Sequence, residues 1–174
     1  MKSNFSLTSL DLGKNGIGSK IGTTLQYFVS NSFKLQILNL EHNNLQLKGI
    51  EFLTSGLLNS RSLKVLNVSG NSIGDKGLKV LLRGVEKHSP LQELRIAFNE
   101  ITPIGGAFIV DVLPKTNLKS LDISRNVIED ETLIMLGDLY QSQESLMLNY
   151  LNVSSCHISD EGLLYFMKAI ENAE

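Results

Sequence analysis

The residues best suited to catalysis or metal binding are few in this chain and lie far apart. There are three histidines, His42, His88 and His157, and one cysteine, Cys156. A metal site needs several such residues at short, defined spacings, and no cluster of that kind occurs in the sequence. No glycine-rich loop is followed by the lysine that would bind phosphate groups. The sequence therefore predicts no metal site and no cofactor.

Two pairs of neighbouring carboxylates, Asp130-Glu131 and Asp160-Glu161, resemble the paired acids of a hydrolase. Both pairs stand where amphipathic helices are predicted to begin, and helix N-termini favour negative charge. Capping therefore explains them without acid–base catalysis. Cys156 is interpreted as a small buried apolar residue rather than a nucleophile. We accordingly predict that the protein is not an enzyme and has no catalytic residue.

The elements that position every candidate residue follow a repeating frame, which is clearest from Leu63 to Val85. Its first half alternates apolar and polar residues, which predicts a strand with one buried side. Its second half spaces Leu78, Leu81 and Val85 by three and four residues, which predicts an amphipathic helix. Neither half buries its apolar side alone, so each unit needs neighbours of the same kind.

The frame occurs six times, with starts 28, 28, 28, 27 and 30 residues apart. Positions are numbered from the first leucine of each copy: Leu7, Leu35, Leu63, Leu91, Leu118 and Leu148. Position nine, where the predicted strand ends, carries five asparagines and one cysteine: Asn15, Asn43, Asn71, Asn99, Asn126 and Cys156. An asparagine amide both donates and accepts hydrogen bonds, so the stacked copies predict a ladder inside the turns.

The predicted helix starts carry recognisable signals. Four of them have a glycine at the same offset: Gly49, Gly77, Gly105 and Gly162. The missing side chain predicts close packing of the helix start on the strand layer. Thr102-Pro103 is typical of an N-cap followed by a first-turn proline. Ser159 precedes two acids and predicts a second cap.

The frame Leu-x-x-Leu-x-Leu-x-x-Asn-x-Leu, with a Gly-Leu helix start and a 28-residue period, resembles the leucine-rich repeat. The repeat length and helical half resemble the ribonuclease-inhibitor-like subfamily. The resemblance implies an α/β solenoid of six repeats, a horseshoe arc with a parallel concave sheet and convex helices. It covers nearly all of residues 1–174, which we expect to form one domain. Neither end shows a polar cap, so we expect part of a longer array or self-association through the ends.

The predicted binding surface is the concave face, where positions three, five, seven and eight point away from the core. Most of these residues are small and polar, and larger side chains interrupt the pattern. The predicted partner-binding residues are Ile37, Glu41, Val65, Glu93, Arg95, Phe98, Asp122, Arg125 and Tyr150. Aromatic residues dominate many interface energies, and charges set partner choice. The other acids and amides at position five, Asp11, Asn67 and Asn152, are interpreted as solvated.

A rigid curved sheet without a chemical site predicts a scaffold that binds another protein. The resemblance leaves two alternatives open. One is a GTPase-activating protein similar to the Ran GTPase activators, in which Arg95 or Arg125 acts electrostatically. The other is the ligand-sensing repeat region of a NOD-like receptor or of an effector.

Charge and cysteine content narrow the class of partner and the compartment. The net charge of -2 at pH 7 favours neither nucleic acid nor a membrane surface as partner. The apolar runs are too short to cross a bilayer. One cysteine forms no internal disulfide, and the first six residues lack the apolar segment of a signal peptide. We therefore expect a cytoplasmic protein.

Overall fold

The computed structural model describes residues 6–88, 90–142 and 146–172, which alternate strand and helix six times. The strands are β1 (Ser9–Asp11), β2 (Ile37–Asn39), β3 (Val65–Asn67), β4 (Glu93–Arg95), β5 (Ser120–Asp122) and β6 (Tyr150–Asn152). The α-helices are α1 (Gly22–Asn31), α2 (Gln46–Leu57), α3 (Gly74–His88), α4 (Pro103–Val112), α5 (Glu129–Gln141) and α6 (Asp160–Glu171). Short 3₁₀ helices at Ser19–Ile21 and Leu113–Lys115 precede α1 and follow α4.

The strands form one parallel sheet in the order β1 to β6. Each strand pairs with its neighbour at identical frame positions, so that Leu38 lies between Leu10 and Leu66. This register follows from the repeat, because a shift by one residue would turn every leucine to the opposite face. The predicted α/β solenoid with six parallel strands is confirmed.

The core lies between the sheet and the helices. Strand leucines such as Leu38 and Leu94 are fully buried, and so are the helix residues Leu53 and Leu81 that face them. Burial of this kind stabilises the fold by about 1.5–3 kcal/mol per side chain. In the sixth repeat, by contrast, Ile170 is exposed, because no further repeat packs on α6 within the described residues.

The predicted asparagine ladder holds the turns together. The amide oxygen of Asn126 accepts the backbone N–H groups of Asn99 at 2.9 Å and of Ile101 at 3.1 Å. Its amino group donates to three carbonyls, two in its own turn and one in the preceding repeat. Asn43 and Asn71 also join their own turn to the preceding repeat. Buried backbone groups in each turn are thereby satisfied without a strand partner.

Cys156 occupies the same position in the sixth repeat. It is buried, and its Sγ atom donates to the carbonyl of Ile123 at 3.3 Å. Burial raises the pKa of the Cys156 thiol, and hydrogen bonds from the N–H groups of Asn126 and Arg125 partly oppose that rise. A thiol with a raised pKa is a poor nucleophile, which agrees with the interpretation of Cys156 as a structural residue.

Two carboxylates tie helix starts in neighbouring repeats together. Asp75 in α3 accepts the backbone N–H of Thr102 at 2.9 Å and its hydroxyl at 2.7 Å. Asp130 in α5 accepts the N–H of Ser159 at 2.7 Å and its hydroxyl at 2.5 Å. Thr102 and Ser159 also cap their own helices, as predicted. Asp130 was predicted to stabilise the start of its own helix. It thus also accepts hydrogen bonds from Ser159 at the start of the helix in the next repeat.

Two of the glycines at the shared helix-start offset have a reason in addition to the one predicted. A Cβ atom on Gly105 would overlap the Asp75 carboxylate, and one on Gly162 would lie 2.5 Å from Cγ of Asp130. The absent side chain therefore leaves room for the carboxylate of the preceding repeat. Approach of the helix start to the strand layer is only part of the explanation.

We expect the Asp130→Asn variant to be less stable than wild type at neutral pH, and the difference to shrink in acid. The Ser159 hydroxyl, and then the Ser159 backbone N–H, lower the pKa of Asp130 below its ordinary value of 3.8. A group with a lowered folded-state pKa stabilises the fold above its unfolded-state pKa. That contribution is lost as the pH falls through the folded-state pKa.

Thermal unfolding at pH 7 and at about pH 2.5 measures this difference. Glu51→Gln is the control, because the exposed Glu51 carboxylate makes no ion pair within the described part of the chain. A difference between wild type and Asp130→Asn that is equal at both pH values would contradict the assignment.

Candidate protein-binding face

The outward rows of the sheet follow from its register. At position three, Ile37 pairs with Val65, and Val65 pairs with Glu93. Ile37 is exposed and Val65 is half-buried, so the two make a small apolar area in the second and third repeats. Glu41 lies in the same region, where its carboxylate accepts the Asn67 amide at 3.0 Å.

The acids and amides at position five close the turns of the sheet. In five repeats the side-chain oxygen at position five accepts the backbone N–H of the residue two positions later. The accepting residues are Asp11, Asn39, Asn67, Asp122 and Asn152. These local bonds satisfy the chain as it leaves each strand. The interpretation of Asn67 as solvated is wrong, because this side chain is only 7% exposed. Asp122, a predicted binding residue, has this structural role in addition to any contact with a partner.

Arg95 occupies position five in the fourth repeat and has no oxygen with which to close the turn. The N–H of Ala97 is accepted instead by the Ser69 hydroxyl of the third repeat at 3.1 Å. The Arg95 side chain lies along the open sheet, with Nε 2.6 Å from Oε1 of Glu93. A side chain from the neighbouring repeat therefore takes over the local bond that Arg95 cannot make.

Three other predicted residues meet around this arginine. A depression of about 350 Å³, here called the floor pocket, is lined by Glu93, Arg95, Ser120, Asp122 and Tyr150. Tyr150 comes from the sixth repeat and is 55% exposed. The floor pocket thus presents an oriented guanidinium group beside a phenol ring and two carboxylates.

Phe98 and Arg125 lie at position eight, at the edge where the chain leaves the sheet. The backbone there is left-handed, with φ of 51° at Phe98 and 56° at Arg125. This conformation costs a non-glycine residue about 1–2 kcal/mol. Phe98 is also 60% exposed, so the fold gains little from its ring. The same left-handed backbone occurs at position eight of all six repeats and so belongs to the fold. The exposed aromatic ring of Phe98 is the reason to look for a function at this edge.

Gly70 lies at position eight between His42 and Phe98 in neighbouring repeats. A Cβ atom on Gly70 would lie 2.5 Å from Nδ1 of His42. The His42 ring occupies that space, and its centroid lies 6.3 Å from that of Phe98. A second depression of about 490 Å³, here called the rim pocket, is lined by His42, Phe98, Arg125, Asn126, Val127, Ser155 and His157.

His42 and His157 were not among the predicted partner-binding residues. The signal was present in the position-eight row, where Gly70 stands between two ring-bearing residues. His157 was not identifiable, because it lies two residues beyond position eight in its repeat. His88 ends α3, and its side chain lies outside the described part of the chain.

The structure divides the nine predicted residues into three groups rather than one site. Glu93, Arg95, Asp122 and Tyr150 line the floor pocket, and Phe98 and Arg125 line the rim pocket. Ile37, Glu41 and Val65 lie in the second and third repeats and line neither. Both pockets take residues from β4 to β6 and their turns, and the rim pocket adds His42 from the turn after β2.

The other features of the described chain are weaker candidates for a functional site. An apolar cleft of about 560 Å³ in the last repeat includes Leu148, Leu163, Phe166 and Ile170. Among the residues described, no group of three or more His, Cys, Asp or Glu side chains is placed to hold a metal ion. No helix within the described ranges is both long enough and apolar enough to cross a membrane.

Comparisons with known proteins were made on the sequence and on the fold. A family model described as Leucine Rich repeat matches residues 3–25, 31–53, 59–82, 87–110, 115–137 and 144–167. No curated protein matches the sequence significantly. A solved structure of the tropomodulin C-terminal domain from Caenorhabditis elegans is 17% identical with a TM-score of 0.57, over 98% of this chain and 86% of that chain.

A second similar structure is Leiomodin-1 Actin-Binding Site 2. It is 12% identical with a TM-score of 0.62, over 98% of this chain and 83% of that chain. At such identities the likeness concerns the fold. The six matched segments and the two similar structures agree with the six stacked units seen here.

Proposed function

The chain belongs to the leucine-rich repeat family, and we propose that it is a scaffold that binds a protein partner on its concave face. Domains of this family are protein-interaction scaffolds, and their stacked strands create an extended concave surface. The observation that carries the proposal is the placement of Arg95. It interrupts a row of turn-closing acids and amides, and Ser69 replaces the bond that is lost.

The energetics of the floor pocket support this choice of face. The ion pair between Arg95 and Glu93 is partly exposed, with half of the Arg95 side chain accessible. Exposed pairs of this kind add only about 0–1 kcal/mol to folding. The pair does, however, orient the guanidinium group before a partner arrives, which reduces the entropy lost on binding. Arginine and tyrosine are also the residue types enriched at the centres of interfaces.

Actin is the first partner that we would test. The name of one similar structure, Leiomodin-1 Actin-Binding Site 2, describes an actin-binding unit. The likeness at 12% identity supports the choice of probe through the shared fold, and the concave-face proposal does not depend on actin.

We expect Arg95→Glu combined with Phe98→Ala to reduce partner binding at least about tenfold, equivalent to roughly 1.4 kcal/mol. The first change reverses the charge in the floor pocket beside Glu93, and the second removes the exposed ring at the rim. Wild type and variant would be compared by affinity capture with mass spectrometry, and by co-sedimentation with actin.

The matched control is Arg83→Glu combined with Ile104→Ala. Arg83 lies on α3 and Ile104 on α4, and both are exposed. This pair makes the same charge reversal and also removes an apolar side chain, away from both pockets. Capture of the same proteins by wild type and by the Arg95/Phe98 variant would show that the concave face is not the binding site.

The finer assignments are proposals as well. We propose a ribonuclease-inhibitor-like subfamily, one domain over residues 1–174 that forms part of a longer array, and a cytoplasmic location.

Self-association through the ends is supported by exposed apolar residues on α6, among them Leu163, Leu164 and Met167. For the GTPase-activating and the sensor alternatives, the geometry adds no specific observation.

A further inference from the structure

The rim pocket contains an arginine without a carboxylate to balance its charge. Its lining includes Arg125 and no acidic side chain. Within the described residues, no carboxylate oxygen lies within 4.0 Å of the Arg125 guanidinium group. The other basic residues on this face differ, since Arg95 is paired with Glu93 and Lys14 lies 3.8 Å from Glu41.

The nearby acids do not line the rim pocket. Asp122, on the strand before Arg125, lines the floor pocket, and its carboxylate accepts the N–H of Ser124 at 3.0 Å. Glu100 and Glu129 follow Phe98 and Arg125 in their turns, but neither lines the rim pocket. The guanidinium group of Arg125 therefore has donors available for an anion from another molecule.

An apolar wall lies beside this charge. Phe98 and Val127 are both exposed, and the His42 ring closes the far side because Gly70 leaves it room. Backbone hydrogen bonds to the following repeat hold Phe98 and Arg125 in place, at 2.9 Å and 2.8 Å. They occupy the same frame position in adjacent strands, which are about 4.8 Å apart. Arg125 and Phe98 are therefore close enough for a carboxylate and an apolar side chain of one short segment to contact both.

We propose that the rim pocket binds an acidic segment of the partner protein, with a carboxylate on Arg125 and a neighbouring apolar or aromatic side chain against Phe98. This inference rests on the proposed function and specifies the chemistry of the partner. Carboxylate is preferred to phosphate because the pocket contains one arginine and no lysine. Phosphate groups are commonly held by clusters of arginines.

The experiment uses synthetic eight-residue peptides labelled with a fluorophore, and measures anisotropy at low ionic strength. One peptide contains Glu-Phe-Glu, the second Gln-Phe-Gln, and the third replaces each Glu by phosphoserine. We expect the Glu peptide to bind wild type at least about fivefold more tightly than the Gln peptide. Its affinity falls as salt is added, because exposed charges are screened.

Arg125→Gln is expected to weaken the Glu peptide at least about fivefold and to leave the Gln peptide unchanged. The matched control is Lys14→Gln, which removes one positive charge at the same frame position with the same left-handed backbone. We expect this variant to bind like wild type. Equal binding of the Glu and Gln peptides, or equal effects of the two variants, would overturn the proposal. Tighter binding of the phosphoserine peptide would overturn the preference for carboxylate.

The same variants separate this inference from the proposed function. If Arg95→Glu abolishes partner capture and Arg125→Gln leaves both capture and peptide binding intact, the concave face is the site and the rim assignment is wrong. If neither variant changes capture while Arg125→Gln still loses the Glu peptide, the rim pocket binds acidic peptides, but neither pocket is required for capture and the assignment of the rim pocket to the partner is wrong.

Discussion

Asn126→Ala is expected to lower the free energy of unfolding by about 3–5 kcal/mol, the largest effect of any single change considered for this protein. The Asn126 side chain is 2% exposed, so water does not replace its hydrogen bonds. Alanine would leave the backbone N–H groups of Asn99 and Ile101 without their acceptor. It would also remove the donor to the carbonyls of Ile96 and Ile123. Each buried group left unsatisfied costs about 1–3 kcal/mol.

Asn15→Ala tests whether burial is the reason. Asn15 occupies the same frame position in the first repeat and donates to the carbonyls of Leu12 and Gly13, but it is exposed. Water can take over these bonds, so we expect a loss of less than about 1 kcal/mol. Urea unfolding of both variants, followed by circular dichroism, gives the comparison. Equal losses for the two variants would show that the ladder does not stabilise the turns through buried hydrogen bonds.

Gly106→Ala is expected to destabilise the protein by about 2 kcal/mol, although alanine is the better helix former. Alanine favours a helix over glycine by about 1 kcal/mol. Here, however, the added methyl group would overlap the Thr132 hydroxyl and lie 2.9 Å from its Cβ atom. Thr132 is fully buried on α5 and donates to the carbonyl of Ile128 at 2.7 Å, so it cannot turn away without losing that bond. Helices α4 and α5 would have to separate.

The double variant Gly106→Ala/Thr132→Ala provides the control. Removal of the Thr132 hydroxyl and methyl groups eliminates the shortest contacts with the new methyl group. We expect the double variant to be more stable than the sum of the two single changes predicts, by about 1 kcal/mol or more. Denaturant unfolding of all four proteins completes the cycle. Strict additivity, or a Gly106→Ala protein more stable than wild type, would show that the helices do not meet at this glycine.

Several parts of the structure were predictable because the repeat specifies them locally. Leucines at alternating positions require one buried strand face, and the regular period requires that equal positions pair, as Leu38 does with Leu10 and Leu66. The ladder through Asn126 followed from the two-sided chemistry of an amide at a strand end. The caps at Thr102 and Ser159 followed from residue type alone.

The sequence predicted which face of the sheet carries the candidate site, but not which side chains meet there. The residues that line the floor pocket all occupy outward frame positions, and all but Ser120 were predicted to bind a partner. The pairing of Arg95 with Glu93 was not predicted. Nothing in the sequence marked Ser69 as the acceptor for Ala97, because that bond joins residues 28 positions apart. The rim pocket was missed for the same reason, since the His42 ring reaches Phe98 only across the gap at Gly70.

The sequence by itself thus determined the number of units, their strand and helix halves, the buried side of each and the order of the strands. These features depend on apolar periodicity and on contacts between repeats that are copies of one another. Only the tertiary structure decided which side chains meet across repeats, such as Asp130 with Ser159 and His42 with Phe98. The physical reason is that such contacts depend on distances and rotamers at positions where the repeats differ, and the shared frame carries no information about those differences.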